Sequence, residues 1–286
     1  MRRADPDARG APDAGDDRLP DVPLIDIQNA TIYRGTTRVF DKFSLSIAQH
    51  EPVAIVGPNG SGKTTLLKVI NREIYPVLEP GSCVRILGRE RWNVWELRSR
   101  IGIVTQDLQA HYRESATGLE VVLSGFLSSI GIHGLLAGRI GDRQRARARA
   151  VLRELGASEL ADRALAHMST GQQRRCLLGR ALVHDPETLI LDEPAVGLDL
   201  AASFDCLSRI RQLAAAGRNI VLVTHALHEI PPEIDRVVLI RDGRVVADGP
   251  KARVLTAARL RETFGTRLRV AKVDGYYLAY PPADRG

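Results

Sequence analysis

Short apolar runs, separated by charged and glycine-containing segments, recur along most of this chain. The runs at 188–191 and 220–223 are continuous and rich in isoleucine, leucine and valine, which is typical of parallel strands covered on both faces. Other runs predict further strands at 24–27, 38–48, 52–56, 83–87 and 101–104. The pattern therefore predicts an α/β core.

Between residues 117 and about 167 the apolar residues take the spacing of a helix. A glycine-interrupted segment at 130–141 divides this region in two. One helical face carries the apolar side chains Leu119, Val122, Leu123 and Phe126. The region predicts an α-helical subdomain, at about 117–167, inserted into the α/β core.

The two ends of the chain differ from the part between them. Residues 1–22 are rich in aspartate, proline, alanine and arginine, which predicts a disordered tail, and they lack the apolar stretch of a signal peptide. Residues 23–264 are expected to form one domain. Residues 265–286 predict a short C-terminal β extension, because two strand-like runs flank an Asp-Gly turn.

Composition and charge limit the class of protein. Of the 286 residues, 44% are hydrophobic. No run reaches the roughly 18 apolar residues of a membrane span, so a soluble protein is expected. The formal charge of +6 suits an anionic membrane surface or a nucleic acid and does not decide between them. The three cysteines are far apart and predict buried thiols in a reducing compartment.

A phosphate-binding motif, G-x-x-x-x-G-K-[ST], lies between a predicted strand and a predicted helix. Glycines let consecutive backbone N–H groups surround a phosphate, and the helix N-terminus adds the positive end of its dipole. Lys63 can reach the β- and γ-phosphates, and the Thr64 hydroxyl can hold Mg²⁺. The residues predicted to bind a nucleoside triphosphate here are Gly57, Pro58, Asn59, Gly60, Ser61, Gly62, Lys63, Thr64 and Thr65.

Two carboxylates and a histidine end the buried strand runs farther along the chain. Asp192 follows the run at 188–191, where its carboxylate can hold Mg²⁺. Glu193, the next residue, can polarise the attacking water as a general base. His225 ends the run at 220–223 in a position to contact the γ-phosphate.

Met168-Ser169-Thr170-Gly171-Gln172, about 20 residues before Asp192, resembles the LSGGQ signature of the ATP-binding cassette (ABC) ATPases. The order of the motifs is also similar to that family: phosphate loop, Gln106 at a strand end, signature, Asp192-Glu193, Asp199 and His225. The resemblance covers roughly residues 24–264. It implies a P-loop NTPase fold with a mixed or parallel core sheet, an antiparallel β subdomain and the inserted α-helical subdomain.

The resemblance also implies roles for single residues. Tyr33 would stack on adenine, and Gln106 would sense Mg²⁺ and the attacking water. Asp199 would lie at a dimer interface, and Ser169, Gly171 and Gln172 would hold the γ-phosphate bound by a partner. The implied catalytic residues are Glu193, His225, Gln106 and Lys63, and the implied Mg²⁺ residues are Thr64, Gln106 and Asp192.

In this family two cassettes dimerise head to tail, and ATP is held between one phosphate loop and the partner's signature. This chain contains one loop and one signature, so the resemblance implies a homodimer or a dimer with a paralogous ATPase subunit. The single cassette without a fused membrane segment is similar to the ATP-binding subunits of bacterial importers. Such a subunit uses Mg-ATP, drives a separate transmembrane permease and lies in the cytoplasm on the inner face of the membrane.

A soluble ABC ATPase acting on nucleic acid or another macromolecular complex is the alternative. It has some support in the basic cluster Arg139, Arg143, Arg145, Arg147, Arg149 and Arg153. The spacing of the cluster spreads it over more than one helical face, which favours a solvated surface, and no nucleic acid is expected. Export has the same ATPase chemistry as import, so the sequence leaves the direction of transport open.

Two further positions carry expectations that the structure can test. Thr170 stands where the family usually has glycine, and we expect its backbone to lie in an ordinary region of φ and ψ, because Ser169, Gly171 and Gln172 are retained. Trp92 and Trp95 are expected to pack in the core.

Overall fold

The computed structural model describes residues 22–132 and 138–283. Its strands are β1 (Ile25–Arg34), β2 (Thr37–Ile47), β3 (Val53–Val56), β4 (Cys83–Ile86), β5 (Ile101–Val104), β6 (Thr188–Asp192), β7 (Asn219–Thr224), β8 (Arg236–Arg241), β9 (Arg244–Pro250), β10 (Arg269–Val273) and β11 (Tyr276–Tyr280). Its α-helices are α1 (Lys63–Ile70), α2 (Val94–Arg100), α3 (Gly118–Leu123), α4 (Asp142–Glu154), α5 (Thr170–Leu182), α6 (Leu200–Ala215), α7 (Lys251–Val254) and α8 (Ala257–Phe264).

A six-stranded sheet with the order β5-β6-β7-β3-β8-β9 forms the centre of the fold. The first five strands in this order pair in parallel, and β9 pairs with β8 in the antiparallel direction. Because parallel strands point the same way, the carboxyl ends of β3, β6 and β7 lie at one edge of the sheet. The phosphate loop and His225 follow those ends and Asp192 is the last residue of β6, so the topology brings them together.

The two faces of the central sheet bury alternate residues of each strand against different layers. Val53 and Ile55 belong to the same apolar cluster as the antiparallel sheet β2-β1-β4 and helix α1. Ala54 and Val56 belong to the cluster that contains the buried faces of α3 to α6. Full burial on both faces explains why these strands have no polar alternation, and each such aliphatic side chain contributes about 1.5–3 kcal/mol of hydrophobic free energy.

The helical region is anchored by the apolar face that its spacing predicts. Leu119, Val122 and Leu123 of α3 are buried, and Phe126 packs against the same cluster. A capping box starts α3, in which the Thr117 side chain accepts from the Glu120 N–H and the Glu120 side chain accepts from the Thr117 N–H. The predicted break at 130–141 falls partly on residues 133–137, which lie outside the described residues.

After the central sheet, the chain forms two short helices and a hairpin. The spacing of residues 251–264 is typical of one helix, but α7 ends at Val254 and a new helix, α8, begins after its N-cap residue Thr256. Strands β10 and β11 pair in the antiparallel direction about the turn at Asp274-Gly275. Tyr277 of β11 is buried and belongs to the cluster under the central sheet, so the hairpin packs on the main body.

The structure confirms the predicted fold class, an α/β P-loop fold with an antiparallel sheet and an inserted helical region. The expectation for Trp95 is wrong: its side chain is 65% exposed on α2, whereas Trp92 is half-buried and donates from Nε1 to the Ile86 carbonyl at 2.8 Å. In the part of the chain that the structure describes, every helix is too short or too polar to cross a membrane.

Candidate nucleotide site

The phosphate loop lies between β3 and α1 and is pressed onto neighbouring strands. A Cβ atom at Gly57 would lie 2.2 Å from the Ile240 carbonyl oxygen, so the close approach of the loop to β8 requires glycine there. Gly62, the residue before α1, has φ of +109°, and a Cβ there would lie 2.8 Å from the Phe40 ring. The loop is thus held tightly between the central sheet and β2.

Lys63 is buried below this loop. Its Nζ donates to the carbonyl oxygens of Gly57 at 2.7 Å and Pro58 at 3.1 Å, and it lies 3.7 Å from Glu193 Oε1. Burial lowers the pKa of Lys63, and the charges of Glu193 and Asp192 oppose that change. Ser61 Oγ is also buried and has no hydrogen-bond partner in the described chain. A buried cation and an unsatisfied hydroxyl beside curled backbone fit a bound phosphate.

Asp192 and Glu193 lie at the carboxyl end of β6 and differ in backbone conformation. Asp192 is still part of β6, and burial, followed by the charge of Glu193, raises the pKa of its carboxyl to about 6. Glu193 has φ of +47°, a left-handed conformation that costs about 1–3 kcal/mol for a residue other than glycine. Its N–H donates to the Val223 carbonyl at 2.8 Å, which fixes this conformation against β7.

The left-handed turn directs the Glu193 carboxylate towards both Lys63 and His225. His225 Nδ1 lies 2.9 Å from Glu193 Oε1, the oxygen that also faces Lys63 Nζ. Glu193 is nearly buried, whereas His225 is partly exposed. A carboxylate held by two side chains in this way has a fixed position from which it can accept a proton.

These groups line one open cleft with a volume of about 750 Å³. The sequence-predicted residues in its wall are Asn59, Gly60, Gly62, Lys63, Thr64, Thr65, Gln106, Asp192, Glu193 and His225. Arg34, Thr37, Val39 and Val196 also line it and were not predicted. The signal for the first three was the turn at Gly35, which joins two predicted strands just after Tyr33. Tyr33 itself is the last but one residue of β1, is 43% exposed and is not in the wall of this cleft in the described chain.

The chemistry of the cleft fits Mg²⁺ together with a triphosphate. Thr64, Gln106 and Asp192 line the same wall and carry hydroxyl, amide and carboxylate oxygens, the ligand types that Mg²⁺ prefers. The described residues contain no group of three or more His, Cys, Asp or Glu side chains that could hold a metal ion by themselves. This is expected where Mg²⁺ keeps several waters and binds phosphate oxygens.

The signature residues form a second group at the start of α5. Ser169 is the N-cap of this helix: its Oγ accepts from the Gln172 N–H at 3.3 Å, and Gln172 Oε1 accepts from the Ser169 N–H at 2.9 Å. Thr170 is the first helical residue, so its expected ordinary backbone conformation is confirmed. Asp199 is the N-cap of α6 and accepts from the Ala202 N–H at 2.8 Å.

The starts of α5 and α6 touch each other. A Cβ atom at Gly171 would lie 2.9 Å from Ala202 Cβ, so only glycine lets the two helices approach this closely. In the described chain Ser169, Gly171, Gln172 and Asp199 do not line the cleft around Lys63. The predicted nucleotide-binding residues therefore fall into two groups, one around the phosphate loop and one at these two helix starts.

Comparison with known proteins places the chain in a family. A family model described as ABC transporter matches residues 40–196. The chain is 33% identical over 286 residues to the phosphonates import ATP-binding protein PhnC of Anaeromyxobacter dehalogenans, covering 98% of this chain and 55% of that protein. It is 38% identical over 228 residues to the cobalt import ATP-binding protein CbiO of Rhodobacter capsulatus, covering 78% and 77%.

A similar solved structure is the dimeric post-hydrolysis state of the ATP-binding cassette MJ0796 bound to ADP and Pi. Its TM-score is 0.64 at 26% identity, with 79% of this chain and 98% of that chain covered. The chain belongs to the ABC transporter family. This confirms the expectation of an ATP-binding subunit of an ABC transporter, and hence of an ATPase. The chain spans about half the length of the PhnC relative.

Proposed function

We propose that this chain binds and hydrolyses Mg-ATP at a site completed by a second ATPase subunit, and that closure of the dimer drives a transmembrane permease. The observation that carries the proposal is the separation of the two groups of residues. The cleft around Lys63 and Glu193 has no wall from the residues at the start of α5, in the part of the chain that the structure describes. A partner's Ser169-to-Gln172 segment would complete it, and the partner is a second copy or a paralogous subunit.

Within the cleft, each side chain has a separate task. The backbone N–H groups of the phosphate loop and Lys63 Nζ would bind the β- and γ-phosphates. Thr64, Asp192 and Gln106 would hold Mg²⁺, which supplies neutralisation of phosphate charge. Tyr33, at the end of β1 and next to the cleft residue Arg34, would stack on the adenine.

Glu193 is proposed to be the general base. Its carboxylate would accept a proton from the water that attacks the γ-phosphorus, while the bond from that phosphorus to the bridging oxygen breaks. His225, 2.9 Å from Glu193 Oε1, would hold the carboxylate and approach the γ-phosphate. At the other side of ATP, the N-terminus of the partner's α5 would face the γ-phosphate with Ser169 and the Gly171 N–H.

The relatives support the proposed direction of transport. PhnC and CbiO are import ATP-binding proteins, so import is the direction that we propose, with the chain on the inner face of the cell membrane. The basic cluster lends little support to the nucleic-acid alternative. Arg147 pairs with Glu154 and Asp185, and Arg149 pairs with Asp162, as in an ordinary solvated helix surface.

Hydrolysis by Glu193→Gln tests the proposed chemistry. With saturating Mg-ATP, we expect the turnover of the purified full chain to fall by about 10²–10⁴, the usual contribution of a general base, while ATP still binds. Glu187→Gln is the matched control. Glu187 is an exposed residue directly before β6, at the end of the strand away from Glu193. Wild-type turnover in Glu193→Gln would remove Glu193 as the base.

A further inference from the structure

A buried pair of side chains, Thr224 and Glu229, closes the short segment that carries His225. Thr224 is the last residue of β7, and Glu229 ends the 3₁₀ helix Leu227–Glu229 with only 3% of its surface exposed. Thr224 Oγ1 donates to Glu229 Oε2 at 2.5 Å and accepts from the Ala226 N–H at 2.9 Å. The segment from 224 to 229 is therefore tied to itself at both ends, with His225 between them.

The closed segment is also joined to the catalytic groups. The Thr224 carbonyl oxygen accepts from the Gly57 N–H, the first of the phosphate loop, at 3.3 Å. The next residue, His225, places Nδ1 at 2.9 Å from Glu193 Oε1. Glu229 itself does not line the cleft in the described chain, so it acts on catalysis from behind the segment, through the position of the segment and through its charge near His225 and Glu193.

The burial of a carboxylate at this place needs a reason, because a buried charge is costly unless it is paired. Burial raises the pKa of Glu229, and the Thr224 hydrogen bond opposes that change. The positive charge of the buried Arg174 guanidinium on α5 also offsets part of the cost of burying the Glu229 carboxylate. Burial lowers the pKa of Arg174, while Cys206, Asp192 and Glu229 oppose the change, and Arg174 Nε and Nη1 have no hydrogen-bond partner in the described chain.

We propose that Thr224 and Glu229 are positioning residues for His225. Their hydrogen bond holds the segment in one conformation, so that the partly exposed imidazole stays against Glu193. Without it, the residues between β7 and the 3₁₀ helix gain conformational freedom, and fewer molecules have His225 and Glu193 in the geometry for hydrolysis. The inference rests on the function proposed for Glu193 and His225.

Steady-state ATPase kinetics of single variants of the full chain test this positioning. Thr224→Val removes the hydroxyl and keeps the shape, and we expect kcat to fall by about 10- to 100-fold, as when a catalytic group is misplaced. KM for ATP should stay within about twofold, because nucleotide binding is not the step affected. Thr224→Ser keeps the hydroxyl and should retain kcat within about threefold of the wild type. Thr188→Val, at a buried threonine of the neighbouring strand β6, is the control.

The same test can be made from the Glu229 side, which keeps it decisive if Thr224→Val does not fold. Glu229→Ala should lower kcat as Thr224→Val does. Glu229→Gln keeps an oxygen that accepts from Thr224 Oγ1 and should retain most of kcat. Thermal unfolding of each variant identifies any that is not folded. Wild-type kcat in a folded Thr224→Val or Glu229→Ala would overturn the proposal.

A double-mutant cycle with His225→Ala separates positioning from a general structural effect. If Thr224 acts through His225, Thr224→Val should cause no further loss of kcat in the His225→Ala background. An equal loss in both backgrounds would overturn the proposal. Failure of the function proposed for His225 would give a different result. In that case the single variant His225→Ala would keep wild-type turnover.

Discussion

Lys63, Asp192 and Glu193 bring one cation and two carboxylates together in a mostly buried place. Lys63 Nζ lies 3.7 Å from Glu193 Oε1, and burial and Glu193 together raise the pKa of Asp192 to about 6. Above that pH the Asp192 carboxylate is charged, and Lys63 alone does not balance it together with an incoming triphosphate. The charges therefore explain why binding of ATP by this cleft is expected to need a divalent cation.

Tyr33 lies beside Arg34 of the cleft wall and not in the wall itself. If it stacks on adenine, Tyr33→Ala should weaken ATP binding by about 1–3 kcal/mol, the usual worth of a base–aromatic stack. Affinity for ATP and for a triphosphate with another base can be measured by isothermal titration. Tyr75→Ala, at an exposed tyrosine after α1, is the matched control. Unchanged ATP affinity in Tyr33→Ala would give Tyr33 a packing role instead.

The residues that sequence alone could identify are those whose chemistry depends on short spacing. The phosphate loop, Asp192-Glu193 and the Ser169–Gln172 capping box are each local patterns. Thr37 and Val39 line the cleft only because β2 folds back beside β1. Glu229 is similar, because its partner Thr224 becomes visible only when the segment after β7 closes. The exposure of Trp95 could not be predicted, because the sequence of a short helix does not indicate which side of it faces water.

At the scale of elements, the approach of α5 to α6 depends on Gly171. Gly171→Ala would place a methyl group 2.9 Å from Ala202 Cβ, which should destabilise the fold by about 1–3 kcal/mol through overpacking. Denaturant unfolding measures this loss. Ala202→Gly removes the opposing methyl, so the double variant should be less destabilised than the sum of the two single ones. Thr170→Ala, at the exposed neighbouring position, is the control. If the effects of Gly171→Ala and Ala202→Gly on the free energy of unfolding are strictly additive, the two helices do not meet here.

The C-terminal hairpin is predicted to add to the stability of the whole fold. Tyr277 of β11 is buried in the main cluster, and Gly275 at the turn lies against Pro232. Tyr277→Ala should therefore lower the free energy of unfolding by about 3 kcal/mol or more, the cost of truncating a large aromatic in a core. Tyr280→Ala, on the same strand but 45% exposed, should change it little. Equal small effects of both variants would mean that the hairpin unfolds separately from the domain.

The positions of the central strands were predictable from the sequence, whereas the order of the strands in the sheet and the helix ends were not. The continuous apolar runs at 188–191 and 220–223 lie in the central strands β6 and β7. A strand that is buried on both faces needs apolar residues at every position, so the sequence indicates it directly. The break between α7 and α8 is decided by Thr256, whose side chain accepts from the Arg259 N–H. A capping threonine inside a helix-like pattern competes with continuation of the helix, and local spacing does not say which one prevails.

In the assembly that we propose, each chain supplies half of each ATP site. The residues around Lys63 and those at the start of α5 are parts of the same predicted site, yet they form separate groups in the described chain. If the missing half comes from a partner, ATP should bring two chains together. A variant that binds ATP without hydrolysing it should keep them together.

The most direct test is the mass of Glu193→Gln in solution, measured by size-exclusion chromatography with light scattering. With Mg-ATP we expect the mass to rise from that of one chain to that of two, and with ADP we expect one chain. Ser169→Glu in the same background puts a carboxylate where the partner's γ-phosphate is expected, and it should bind ATP but stay monomeric. A Glu193→Gln protein that is saturated with ATP and remains a monomer would contradict an ATP site shared between two chains.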